Sequence, residues 1–477
     1  MTGMGTKGVN LSDPNITSAF NGSLLHQLVL LALFAVALLV GIFGYYLFKN
    51  PGNSPRKTIR QVGFEPAARK FLRYAFGGLW IFDGLLQLQP QMPLGIPTVI
   101  VSPLLSGEPS WLRSILTLGV NVWERHPIQA ADSLVWIQVG IGIWLIAANG
   151  SGRWSRLAGA VSTVWALSVW VGGEAMGGIF LPGASWYFGA PGAVAFYGVA
   201  GVLIAMPPTA FSSARAATQM MRALGGLMAI FAILQAFPGR GFWSGSSIAG
   251  MAQGMSQASQ PGFATSIQQA IASFANAGGD LTNAILVALL AGAAITLLAG
   301  KPTRGLLVWN IALAAVSWIG FQDFGFFGGI GTDPNSAIPV LFLVLALYVW
   351  SKRLDPALVR SPRAERREKR LANEGGRGSV LGELLPMPTH VIRWIPIAVA
   401  VAITAVGSGP LAYASLTSHT ASLVTAEAID GLPSPVHYPA PLFTLTDQNG
   451  KTFSLSSLQG KVVFLTFLDP VCTTDCP

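Results

Sequence analysis

The chain has 477 residues, of which 52% are hydrophobic and only 10% charged, with a mean hydropathy of +0.54 and a net charge of +9. A soluble globular domain carries about 25% charged residues, so the composition excludes an ordinary water-soluble enzyme and makes the lipid bilayer the expected partner. The positive charge does not argue for nucleic acid, because Lys and Arg fall in short segments between apolar stretches, where membrane topology puts them.

Residues 25–48 form the first apolar run, long enough for the roughly 20 residues that span a ~30 Å hydrocarbon core. Only Lys7 precedes it, whereas a signal peptide needs a basic leader and a small-residue cleavage site. The basic cluster comes after it, at Lys49, Arg56, Lys57, Arg60, Arg69, Lys70 and Arg73, which sets that segment in the cytoplasm and the N-terminus outside. Further basic positions at Arg153 and Arg156, Arg215 and Arg222, Lys301 and Arg304, and across 352–377 alternate with segments 96–130, 179–190, 239–280 and 324–337, which have few Lys or Arg. The alternation predicts a multi-pass cell-membrane protein with about ten transmembrane helices and both termini extracytoplasmic.

An internal repeat runs through this region at an offset of 148 positions. Gly77, Gly78, Leu79, Gln87 and Pro90 match Gly225, Gly226, Leu227, Gln235 and Pro238, and Arg156, Trp170, Gly172, Gly177, Gly183 and Pro191 match Arg304, Trp318, Gly320, Gly325, Gly331 and Pro339. The two units, 71–206 and 219–351, each read as four helices with a long outer loop after the first. An even number of helices makes the repeat parallel.

Polar residues inside apolar runs are costly and mark candidate sites. Asp83 and Gln87 share a helical face, Gln138 sits in the third helix, and Glu174 closes the fourth. Their convergence near the outer surface would make a quinone or proton site with Trp80 and Trp170 as walls. The alternative is hydrogen bonding between helices that serves packing alone. The second unit carries Phe231 and Gln322 where the first has Asp83 and Glu174, so only the first keeps the acids.

The first unit resembles the DoxX family of four-helix membrane proteins. The residues carrying the likeness are the run from Arg73 to Pro90, then Pro109, Trp111 and Leu112, and Trp170 to Gly178; Gly331, Thr332, Asp333 and Pro339 resemble that family's closing loop. The resemblance implies a redox setting, since such families are linked to thiosulfate–quinone oxidoreduction and to membrane redox-stress responses.

Residues 352–390 have the composition of a solvated cytoplasmic linker, 391–416 are a last transmembrane helix, and 417–437 a second linker. In the tail, 438–477, alternating apolar residues flank Asn449-Gly450 and predict a hairpin. Residues 462–467 read as a buried parallel strand, followed by Cys472 and Cys476, the only cysteines in the chain. This order resembles the thioredoxin-like superfamily, and the three-residue spacer with Pro477 resembles its Sco (SenC) branch. The resemblance implies an extracytoplasmic α/β domain whose thiols sit at a helix N-terminus, where thiolate is favoured, and serve disulfide exchange or bind copper.

A Sco-type site also needs a distal His. His419 and His437 lie upstream and do not match it, so the domain is expected to continue past Pro477.

The expected fold is therefore an all-α polytopic membrane protein carrying the start of a thioredoxin-like domain. The expected function is a membrane-tethered thiol-disulfide oxidoreductase or copper-handling protein, with respiratory or cell-envelope redox proteins as partners. The alternatives are a quinone-linked membrane redox subunit, or a transporter or structural protein with an incidental tail. Copper and quinone both stay open as cofactors. The membrane part contains no Cys, so only a bound quinone would carry electrons through it.

Overall fold

The computed structural model describes residues 11–49, 65–148, 150, 152–353, 395–416, 443–447 and 449–458. They belong to two units, Met1–Gly431 and Leu432–Pro477.

Every regular element described in the first unit is helical. α1 (Pro14–Lys49) starts earlier than the apolar run, because the Asp13 carboxylate accepts from the backbone N–H of Asn15 and Ile16 at 2.8 and 3.2 Å. Next come α2 (Ala67–Leu86), the short α3 (Met92–Gly95), α4 (Ser110–Arg125), α5 (Pro127–Ala147), α6 (Arg153–Gly172) and α7 (Ala193–Ala205). The series repeats as α8 (Ala214–Ala236), α9 (Ser246–Ser256), α10 (Gly262–Gly278), α11 (Asp280–Leu298), α12 (Arg304–Ala315, continued by a π turn to Phe321) and α13 (Ala337–Arg353); α14 spans Ile395–Leu416.

Five described helical segments are long and apolar enough to cross a membrane: Pro14–Leu38, Pro127–Ala147, Ala214–Ala236, Asp280–Leu298 and Arg304–Phe321. The expected ten included others that do not qualify by length and composition alone. α2 carries Arg69, Lys70, Arg73 and Asp83, and the 13 residues of α7 reach only about 20 Å at 1.5 Å each. Large apolar side chains such as Leu33, Val164, Ile233, Ile295 and Val308 are exposed while Arg69, Asp83, Asn283 and Ser317 are buried. That inversion suits a hydrocarbon surrounding and not water.

Close helix contacts are made by small residues, as bilayer packing favours. On α2, a Cβ at Gly77 or Gly84 would run into α5 at Ile146 or Val139; Gly225 stands in the same relation to Leu297 and Leu298 of α11. Gly159 and Gly201 bring α6 onto α7, and Gly140 and Gly407 bring α14 onto α5. α2 thus packs on α5 as α8 packs on α11, and α6 on α7 as α12 on α13.

Three expectations are corrected. The segments after α2 and α8 are not open loops but hold α3 and α4, α9 and α10; their buried residues recur at helical spacing (Leu112, Leu116, Val120) without a membrane-length apolar run. The constant offset also ends near Gly177 and Gly325. Gly177 (φ +67°) abuts Pro191 and Gly192, while Gly325 (φ +78°) abuts Asp333 and Pro334, so Pro191 corresponds to Pro334 rather than Pro339 and the second loop is five residues shorter. Finally, Arg69 and Arg73 are not solvated loop charges. Both are fully buried at the start of α2.

In the second unit, β1 (Thr444–Thr446) pairs antiparallel with β2 (Thr452–Ser454), Leu445 opposite Phe453. The turn forms where Asn449-Gly450 predicts it. Gly450 takes φ +78°, and the Asp447 carboxylate accepts from the backbone N–H of Asn449 and Lys451 at 2.9 and 2.8 Å. The predicted strand 462–467, Cys472 and Cys476 lie outside the described residues.

Candidate functional site

A cavity of about 1410 Å³ opens among α4, α5, α6, α9 and the loops after α6 and α12. Its walls are mainly apolar, with Ile96, Ile100, Leu104, Val120, Leu134 and Met251 among them. Trp123, Trp165 and Phe188 supply the aromatic surface. Asp83, Gln87, Gln138 and Glu174 all line it, together with Thr332, Asp333 and Asn335 from the loop after α12. No Lys, Arg or His is among the lining residues. An apolar pocket with a few convergent polar groups is the usual form of a small-molecule site, and this one exceeds the roughly 300–1,000 Å³ of ordinary pockets.

Each acid is held differently. Asp83 is 1% exposed on the last turn of α2, and neither carboxyl oxygen has a hydrogen-bond partner; the Tyr197 hydroxyl of α7 lies against it without closing a bond. Gln87 and Gln138 likewise leave their amide oxygens unpaired. Buried polar atoms are normally satisfied, so four such atoms on one cavity are a marked departure.

Glu174 follows α6. Both its oxygens accept from the Val194 backbone N–H at the start of α7, at 3.3 and 3.4 Å. The chain at Gly192 (φ +96°) passes so close to the Glu174 carboxylate that a Cβ there would meet it. Asp333 accepts from the Asn335 backbone N–H at 2.7 Å and the Thr332 hydroxyl at 2.9 Å. Burial raises both acids above the ordinary carboxylate range, Glu174 well above it with the Asp333 charge as a further cause.

The tryptophans expected as walls are elsewhere. Trp80 points away from the cavity and donates to Ser162 Oγ of α6 at 2.8 Å, and Trp170 donates to the Pro191 carbonyl at 2.6 Å. Neither lines the cavity. Helix rotation decides this, and bulk near an acid in sequence does not reveal it. For Asp333, Asn335 and Tyr197 the sequence offers one signal, the Gly331-Thr332-Asp333 run.

In the second repeat the corresponding positions are closed. Gln235 donates to Asn283 Oδ1 at 2.8 Å and accepts from Ser185 Oγ at 2.6 Å. Gln322 accepts from the Ala337 N–H at 3.1 Å and donates to the Trp186 carbonyl at 3.1 Å. Phe231 packs against the Trp186 ring with centroids 6.1 Å apart. Among the described residues no group of three or more His, Cys, Asp or Glu is arranged to hold a metal ion.

No family model matches the sequence, and neither a curated protein nor a solved structure matches it.

Proposed function

We propose that this chain is a membrane redox protein whose first repeat binds a lipid-soluble quinone and whose tail supplies a reactive dithiol, Cys472 and Cys476. In this reading the membrane part has ten crossings in two parallel DoxX-like units, with both termini extracytoplasmic, and respiratory or cell-envelope redox proteins exchange electrons with the thiols. The observation that carries it is the large apolar cavity with an unpartnered buried acid, Asp83, beside Gln87, Gln138 and Glu174. A quinone is a planar ring with two carbonyl acceptors on an apolar chain; the apolar walls suit the chain, and the acids of the cavity donate to the carbonyls in their protonated form.

The reaction balances as dithiol plus quinone giving disulfide plus quinol, with two electrons and two protons passing from sulfur to the ring. Thiolate is the form that reacts, and the acids of the cavity hold protons where the ring oxygens would take them up.

The test uses full-length protein in nanodiscs, reduced and freed of reductant, then mixed with a short-chain quinone while quinol absorbance and free thiols are counted. One quinone reduced per cysteine pair is expected. The Cys472→Ser, Cys476→Ser double variant should reduce none, and Asp83→Asn should slow the reaction. A reduced wild-type chain that leaves quinone untouched refutes the thiol–quinone reading.

A further inference from the structure

The two repeats exchange loops. The loop after α6 enters the second repeat, where Ser185 bonds Gln235, Trp186 Nε1 donates to Ser317 Oγ at 2.9 Å, and the Tyr187 hydroxyl donates to the Leu286 carbonyl at 2.7 Å. The loop after α12 enters the first. There Gln87 Nε2 donates to the Thr332 carbonyl at 3.3 Å, Gln89 Nε2 to the Gly331 carbonyl at 2.8 Å, and Ser336 Oγ to the Gly189 carbonyl at 2.6 Å.

Gln87 and Gln235 are counterparts in the repeat, as are Asp83 and Phe231, and Glu174 and Gln322. With Pro191 matching Pro334, Asp333 falls at the place of Ala190, so this acid has no polar or aromatic counterpart in the second repeat.

In the second repeat the Trp186 indole is buried against Phe231 and bonded to Ser317, which makes a solid plug. In the first repeat Asp83, Glu174 and Asp333 line open space.

We infer that Asp333, delivered by the second repeat, completes with Asp83 and Glu174 a three-acid head site in the first, which binds a planar ring bearing hydrogen-bond acceptors. This deepens the quinone reading and rests on it. Asp83, 1% exposed and without a partner for either oxygen, is the group left over for a ligand. Asp333 is anchored by Thr332 and Asn335, which fixes its place at the head. The titratable groups facing this head are Asp83 from α2, Glu174 after α6, Tyr197 from α7 and Asp333 itself, with no Lys, Arg or His on the cavity. A neutral carboxyl donates to a ring carbonyl and a carboxylate does not, so binding should weaken as pH rises.

The test is calorimetric titration of the full-length protein in nanodiscs with a short-chain benzoquinone across a range of pH. Asp333→Ala should weaken binding at least about tenfold, and Asp333→Asn, which can donate but not titrate, should restore most of it with a shallower pH profile. The double variant Asp83→Phe, Glu174→Gln gives the first repeat the residues of the second at these positions and should abolish binding while melting like wild type. If Asp333→Ala binds as wild type while Asp83→Asn does not, the three-acid inference falls and the quinone reading stands. If wild type binds no quinone, the quinone reading itself falls. Displacement of the quinone by tetraphenylphosphonium, with cation binding that strengthens as pH rises, would show a cation site and overturn the inference.

Discussion

Arg69 and Arg73 offer the sharpest test of how the first repeat is held together. They sit one turn apart at the start of α2 and clamp Glu65, with Arg69 Nη1 and Arg73 Nε at 2.7 and 3.0 Å from its carboxylate. Arg69 also donates to the Ile204 carbonyl in the last turn of α7 at 2.7 and 2.9 Å, to the Gly150 carbonyl at 2.9 Å and to Ser155 Oγ at 2.9 Å. Arg73 donates to the Leu145 and Ile146 carbonyls in the last turn of α5 at 2.6 and 2.7 Å. Each guanidinium therefore caps the C-terminal end of another helix, where backbone carbonyls lack partners and a positive charge is favoured.

Arg69→Met keeps the aliphatic stem and removes every donor. It leaves Glu65 half-paired and the Ile204 carbonyl bare, and removing one partner of a buried ion pair costs about 3–5 kcal/mol. Arg69→Lys restores a charge but not the planar fork, so about half of that loss should remain. Unfolding by SDS titration in mixed micelles measures both, and a double-mutant cycle with Glu65→Gln should return a coupling of about 1–3 kcal/mol. A stability of Arg69→Met within about 0.5 kcal/mol of wild type, the range of ordinary surface changes, would refute the capping role.

Other predictions follow from packing. Gly84→Leu should force α2 off α5, because even a Cβ there meets Val139 and the Val135 carbonyl; a loss of at least about 1–3 kcal/mol is expected by SDS titration. Gly192→Ala should distort the Glu174 site, since a side chain at φ +96° is strained by about 1–3 kcal/mol and would press on the carboxylate; quinone binding should weaken while the helical signal in circular dichroism stays unchanged. Trp186→Ala should empty the plug of the second repeat at a cost of about 3–5 kcal/mol, and added indole should recover part of the lost stability. For the topology, reporters fused at Gly375 and Ser434 should report cytoplasm and exterior respectively, and the reverse pattern would overturn the proposed orientation.

What the sequence made legible was local. The repeat showed itself because Gly77 and Gly225 meet their neighbouring helices in the same way, so the same residue is needed twice. The hairpin was readable from Asn449-Gly450 because the turn demands a positive φ. Asp83 and Gln138 stood out as polar residues in apolar runs. The loop exchange left no such mark, since Asp333 belongs to one repeat and lines a cavity in the other. Helix rotation also hid which tryptophans face the cavity: Trp80 turns to Ser162, and Trp165 takes the wall. The helix at 110–125 escapes a search for membrane runs because it has only 16 residues and is interrupted by Arg113, Asn121 and Glu124.

In the proposed function a lipid-soluble quinone occupies the cavity of the first repeat. Photolabelling of the full-length protein in nanodiscs with an azido-quinone, followed by peptide mapping with and without excess unlabelled quinone, tests it most directly. Competable label is expected on α4 around Trp123 and on the loops holding Glu174 and Asp333. Label spread over the exposed faces of α1 and α8 and indifferent to competitor would contradict it.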